Sequence, residues 1–132
     1  MVNKLVYKNL ITLRNASMGK KIFVDVYYNN LFIFFLNFFY RKGYILGYVY
    51  NNYKKVRVFL KYYKDKGLLQ GLVFSVNKPV FSYKALKYIR YHYKYEKHLY
   101  MFSTIKGFLT LDEIFLNNYT IGGVLYFCII LT

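Results

Sequence analysis

The sequence predicts an α+β chain, with helix and strand mixed in its first half and mostly strand in its second. Three observations carry this. Apolar residues recur at helical spacing in two early segments, and a basic pair and a glycine close the second. Runs of β-branched and aromatic residues follow, alternating with charged ones. Near the far end, Thr110-Leu111-Asp112-Glu113 has the form of a capping box.

Leu5, Leu10, Ile11 and Leu13 define an opening helix over about residues 3–17, with Lys4, Lys8 and Arg14 on other faces. Lys20–Tyr28 (KKIFVDVYY) reads as a strand. Asn29 or Asn30 is placed to cap a second helix, Leu31–Lys42. Arg41 and Lys42 suit its end, and Gly43 suits the left-handed residue after it. YILGYVY, Asn51-Asn52 and YKKVRVFLKYY read as a hairpin turning at the asparagines. Val56, Val58 and Leu60 share one face of it, and Lys55, Arg57, Phe59 and Lys61 the other.

Lys64-Asp65-Lys66-Gly67 is the best boundary between lobes. A short strand is expected near Leu68–Val76, then a turn at Asn77-Lys78-Pro79. In Lys84–Lys97, Tyr91, Tyr93 and Tyr95 alternate with His92, Lys94 and Glu96, which is strand-like, with helix as the open alternative. Leu99–Ser103 reads as strand, Thr110 to about Asn117 as a capped short helix, and Ile121–Leu131, opened by Gly122-Gly123, as a closing strand.

The 132 residues fit one compact unit or two small lobes, and suffice to bury a real core. Twenty Lys and Arg against five Asp and Glu give a formal charge of +15. That excess points to a polyanionic partner, nucleic acid or an anionic membrane surface. Tyr, Phe, Asn, Lys, Ile and Leu dominate, Trp is absent and Pro79 is the single proline. These preferences track AT-rich codons, so much of the aromatic count reflects mutation pressure. The single cysteine, Cys128, excludes an internal disulfide framework and a cysteine-based zinc site. The apolar runs Leu31–Phe39 and Ile121–Leu131 fall short of the roughly 18–20 residues that span a bilayer. The opening residues have mixed polarity and resemble neither a secretory signal nor an Arg- and Ser-rich transit peptide.

FSTIKG (Phe102–Gly107) lies between a strand and the positive end of the helix capped by Thr110. Ser103 and Thr104 can hydrogen-bond phosphate, ribose or base edges. Lys106 supplies charge, and Gly107 allows close backbone approach. Taken alone, such a turn is usually just a turn.

An ordered set of motifs along the chain resembles the S-eight family of small-subunit ribosomal proteins. The set is LITLRNA (Leu10–Ala16), NNLFIFFLNFFYRKGYILGY (Asn29–Tyr48), VRVFLKY (Val56–Tyr62), SVNKPVFSYK (Ser75–Lys84), STIKGFLT (Ser103–Thr110) and Gly122-Gly123. STIKGFLT is similar to the family's most specific motif, STSKGxMT. The resemblance implies two lobes: residues 1–66, two helices on a three-stranded sheet, and residues 67–132, an rRNA-binding lobe that is mostly β with one short helix. It also implies a structural protein of the small ribosomal subunit that binds the central domain of its rRNA and helps the platform assemble. No catalysis, cofactor or metal goes with it. Carried over by position, the RNA-binding residues are Ser103, Thr104, Lys106 and Gly107, with Lys78, Pro79, Tyr83 and Lys84, and in the first lobe Thr12, Arg14 and Asn15. Neighbouring small-subunit proteins are the other partners.

The chain departs from the family's pattern in places. Ile105 replaces a serine, and Val124 stands where a glutamate follows the glycine pair. The proline segment lacks the usual Gly and Arg, and Lys84–Tyr100 lacks the Leu-Pro and Gly-Leu-Gly features. His92 and His98 with Glu96 are weak evidence for a metal. No nucleophile–base pair is evident, which leaves an RNA-modifying enzyme a distant third reading. The second is a basic peripheral membrane or interaction protein. The nearly all-round apolar helix Leu31–Phe39 argues against it, because such a helix suits burial. AT bias and a bacterial-type length place the protein in an organelle, mitochondrion before plastid, with an AT-rich bacterium as the alternative.

Overall fold

The computed structural model describes residues 4–52, 54–74, 79–92 and 98–129. The chain divides into two units, Met1–Gln70 and Gly71–Thr132, each built on its own sheet.

The first unit runs α1 (Lys4–Met18), β1 (Phe23–Tyr27), α2 (Asn30–Lys42), β2 (Ile45–Asn52), β3 (Lys55–Leu60), β4 (Tyr62–Tyr63) and β5 (Lys66–Gly67). Its main sheet is antiparallel in the order β1-β3-β2. The alternation read in β3 holds: Val56, Val58 and Leu60 are buried, while Lys55 is exposed and Arg57 and Phe59 are half-buried. The core forms from these residues, Val6, Leu10 and Leu13 of α1, and Phe32, Phe35, Leu36 and Phe39 of α2. Each fully buried apolar side chain contributes about 1.5–3 kcal/mol relative to exposure.

Both ends of α2 form by the expected chemistry. The Asn29 side chain accepts from the amides of Leu31 (3.0 Å) and Phe32 (3.2 Å). Gly43 sits at φ 80°, its amide donating to the Tyr40 carbonyl (3.1 Å), while Tyr44 N–H reaches the Phe39 carbonyl (2.8 Å). One expectation fails. The helix is not covered all round: Phe34 and Tyr40 are 40% and 57% exposed, and Asn37 also faces outward. A single sheet covers one side only, so the other stays open whatever its composition.

The β2–β3 turn also differs. Asn51 and Asn52 end β2, and Asn52 pairs with Lys55. The Asn52 side chain accepts from the amides of Lys54 (2.9 Å) and Lys55 (3.0 Å), so it closes the turn from the strand end. Lys64 and Asp65, both at positive φ, make a tight hairpin between β4 and β5. Behind it Gly67 is buried on α1, where a Cβ would run into the Ser17 hydroxyl.

Asn9 was invisible as a structural residue in the sequence. It is buried on α1, and its side chain donates to the Tyr27 carbonyl (2.8 Å) and accepts from the Tyr27 amide (3.1 Å). It ties α1 to the free edge of β1 as a further strand would. On the other side of the sheet Arg57 binds Asp25 through Nε–Oδ1 (3.0 Å) and Nη2–Oδ2 (3.3 Å). The hydrogen bond from Arg57 holds the Asp25 carboxyl below its ordinary range. The pair's small contribution is therefore present at neutral pH and fades as pH falls through that lowered value.

The second unit runs β6 (Leu72–Val73), β7 (Val80–Phe81), α3 (Tyr83–His92), β8 (Leu99–Thr104), β9 (Gly107–Thr110), α4 (Leu111–Leu116) and β10 (Gly123–Ile129). The sheet order is β6-β10-β8-β9, and β7 also pairs with β10. Phe102, Leu86, Leu111 and Ile114 form the buried centre against which Phe81, Ile89 and Leu125 pack. Of the two readings open for Lys84–Lys97, helix is the one found, as far as His92; residues 93–97 lie outside the described part. Leu86 and Ile89 turn to the core at helical spacing, but the many tyrosines around them hide that period. Ser82 supports the helix start, its hydroxyl accepting from the Ala85 amide (3.2 Å). The strand expected over Leu68–Val76 shrinks to β6 within the described residues. The apolar helices stop far short of a membrane span: among the described residues, no helix is long and apolar enough to cross.

Two outcomes follow. Asn9→Ala deletes both bonds to Tyr27 and should lower unfolding free energy by about 1–3 kcal/mol in urea titration. Cys128 is buried, and burial pushes its thiol up to about 11. It should resist iodoacetamide at pH 8 in the folded protein and react once denatured.

Candidate nucleic-acid interface

The loop Phe102–Gly107 is the tip of a β-hairpin. β8 and β9 pair from Met101↔Thr110 to Thr104↔Gly107, leaving Ile105 and Lys106 as the turn. The turn is fixed from inside. The Thr104 hydroxyl accepts from the Lys106 amide (3.1 Å) and donates to the Gly107 carbonyl (2.8 Å). Gly107 sits at φ 107°, a conformation that a side chain would strain. Thr104 therefore spends its proton on shape. What the tip offers a partner is Lys106, with its Nζ 5.7 Å from the Tyr119 ring centroid, and Ile105, which is 86% exposed.

The expectation that this loop abuts a helix's positive end is corrected. β9 stands between the tip and α4. That helix end is closed by its own capping box: Thr110 Oγ1 accepts from the Glu113 amide (3.2 Å), and the Glu113 carboxylate accepts from the Thr110 amide (3.3 Å). The capping box was legible, but a strand of GFLT, only four residues long, was not.

Around the tip, β10 collects the neighbouring strands. Val124 pairs with Ser103 on one side and Val80 on the other, and Gly123 pairs with Phe81. The glycine pair is what permits this. A Cβ on Gly123 would lie 3.0 Å from Thr104 Cγ2 and 3.1 Å from Ser103 O, and one on Gly122 would run into the Phe81 carbonyl. The start of α3 is thereby drawn toward the hairpin tip. Tyr83 lies there half-buried, its ring 5.7 Å from that of Phe115, and Lys84 is exposed. Pro79 is half-buried, and its carbonyl accepts from the Leu125 amide (3.0 Å), docking β7 on β10. Lys78 lies outside the described residues. Ser103 is half-buried on β8, level with Phe108 and Val124.

The second unit thus brings Tyr83, Lys84, Ser103, Thr104, Lys106 and Gly107 to one end of a sheet. Thr12, Arg14 and Asn15 lie on α1 of the first unit, and there they divide. Thr12 and Asn15, one turn apart, share a side, while Arg14 leaves by roughly the opposite one from Thr12. The Thr12 hydroxyl donates to the Lys8 carbonyl (2.9 Å), and Asn15 is exposed.

Sequence reasoning missed Phe115 and Tyr119. Both are rings beneath cations, with Arg90 Cζ 4.8 Å from the Phe115 centroid. Among the described residues no cluster of His, Cys, Asp and Glu could hold a metal. The arrangement suits contact with a polyanion: a preformed tip that carries Lys106, and the Glu113 carboxylate spent on a cap. Gly122→Ala should force β7 off β10, costing about 1–3 kcal/mol in thermal or urea unfolding.

Comparison with known proteins agrees with the motif order. The chain is 30% identical over 126 residues to small ribosomal subunit protein uS8 of Helicobacter acinonychis (strain Sheeba), covering 93% of this chain and 95% of that one. It is 31% identical over 126 residues to the protein of the same name from Helicobacter pylori (strain Shi470), with the same coverage. Residues 5–130 match the family described as ribosomal protein S8. With nearly the whole chain matched and the hairpin, glycine pair and capped helix in place, the chain belongs to the ribosomal protein S8 family.

Proposed function

We propose that this protein binds the central domain of small-subunit rRNA through the β8–β9 hairpin and supports assembly of the platform in the mitochondrial ribosome. Membership of the family carries the coarser statement: the chain is a structural component of the small ribosomal subunit and not an enzyme, with rRNA and small-subunit proteins as partners. The observation that supports the finer reading is the hairpin tip. Its shape is set by Thr104 and Gly107 before any partner arrives, so little ordering cost remains on binding. Lys106 then meets phosphate, with Lys84, Pro79 and Tyr83 at the neighbouring strand and helix start. Ser103, Thr104 and Gly107 set the approach, Lys78 is a further contact proposed from the motif alone, and Thr12 and Asn15 form a second contact from one side of α1, with Arg14 contacting RNA separately from the other. The mitochondrial assignment rests on the AT-biased residue choice; a plastid or an AT-rich bacterium is the other home for such a composition.

The test is ultraviolet crosslinking of the native protein with sequencing of the attached RNA. Reads concentrated on one stem of the central domain, with crosslinked peptides from Ser103–Thr110, are expected. In purified form, Lys106→Ala should weaken binding to that stem and lower the log–log salt slope by about 1. Diffuse reads, or membrane recovery without ribosomal RNA, would overturn the reading. Sedimentation of the protein with small subunits from purified mitochondria tests the location.

A further inference from the structure

We infer that the open face of the first unit's sheet is a platform for a single-stranded stretch of RNA, separate from the hairpin of the second unit. The buried residues of β3 mark one face as the core side. The other face carries what stands opposite them in the pleat. Register sets three pairs across β1 and β3: Phe23 beside Phe59, Asp25 beside Arg57, and Tyr27 beside Lys55. From β2, Val49 joins beside Arg57, 51% exposed.

These side chains form plates and cations in alternation. The Arg57 guanidinium lies 4.3 Å from the Phe23 ring centroid, and Asp25 grips it through both oxygens, so it is held in place before any ligand arrives. The Phe59 ring is 6.1 Å from that of Phe23, tilted at 56°. The Tyr27 ring has two ammonium groups close by, Lys8 at 4.7 Å and Lys55 at 5.3 Å. Phe23 and Tyr27 are 42% and 40% exposed. Unpaired bases stack on aromatic rings and on guanidinium planes, and their phosphates seek neighbouring lysines. Rings on adjacent strands of an open sheet face suit that purpose. Charge decides between RNA and a protein partner. Lysine is depleted in protein–protein interfaces relative to the rest of the surface, and here two lysines lie over the Tyr27 ring, with Asp25 already committed to Arg57.

The test is fluorescence anisotropy with a labelled single-stranded oligouridylate of roughly twelve nucleotides, a length within the usual site-size range. Full-length protein is compared with Phe59→Leu, Lys55→Gln and Lys106→Ala, after melting curves show each variant folded. Phe59→Leu keeps apolar bulk but removes the ring and should weaken binding about fivefold or more. Lys55 is exposed, so Lys55→Gln costs at most its contact with the Tyr27 ring and keeps the fold; it should lower the log–log salt slope by about 0.7. Lys106→Ala should leave oligouridylate binding within about twofold, which separates this face from the hairpin. The inference is overturned if wild-type protein does not bind the oligomer, if Phe59→Leu binds as wild type, or if Lys106→Ala alone abolishes binding. It is likewise overturned if crosslinks from Phe23, Tyr27 and Phe59 in assembled subunits lead only to a neighbouring protein.

Discussion

The close approach of three strands at Gly122-Gly123 is the constraint on which the second unit rests. The chain at Gly122 lies so near the Phe81 carbonyl that no side chain fits, and at Gly123 a Cβ would press to 3.0 Å from Thr104 and 3.1 Å from Ser103. Every other placement follows from this. The end of β7 cannot drift, so α3 starts where Ser82 caps it, and Leu86 meets Phe102, Leu111 and Ile114 in one buried cluster. The β8–β9 hairpin leaves the same end of the sheet with its turn already formed. A methyl group at either glycine would disturb both the core and the surface, because the same backbone separation serves both.

The first unit solves a different problem, that of many bases and few acids. With five acidic residues against twenty basic ones, ion pairs cannot balance the surface. Aromatic rings take part of that role. Lys8 and Lys55 lie over Tyr27, Arg57 over Phe23, and Lys42 within 5.9 Å of the Phe38 centroid. Each such contact is worth about 0.5–1 kcal/mol at an exposed site. The aromatic-rich composition is thus part of how the charge is tolerated. Much positive potential still remains unneutralised and available to a polyanion.

How much of this was legible depended on whether the signal was local. The caps of α2 and α4 were readable because capping is a contact among residues three or four apart: Asn29 with Leu31 and Phe32, Thr110 with Glu113. The faces of β3 were readable because a pleat alternates by two. What was hidden depends on residues far apart in sequence. Asn9 looked like any polar residue of a helix, and only the edge of β1, eighteen positions on, gives it a purpose. The turn after β2 slipped because Asn52 caps the ladder with its side chain and does not occupy the turn. β9 was missed because four residues are too few to show a period, and α3 stayed undecided between strand and helix because tyrosine suits either element. At the candidate interface, motif order named the hairpin residues, but Thr104's division of labour with Lys106 emerged only from hydrogen bonds.

That division separates what holds the hairpin from what its tip displays. Thr104, Gly107 and the glycine behind them fix the turn, and none of them is its outermost residue. Ile105 is outermost and bears no structural duty in that scaffold. A residue so placed can change without unfolding its support. The tip residue is therefore free to change with whatever it touches. An exchange of this one residue between distant relatives would be expected to upset recognition while leaving the protein's own melting curve where it was.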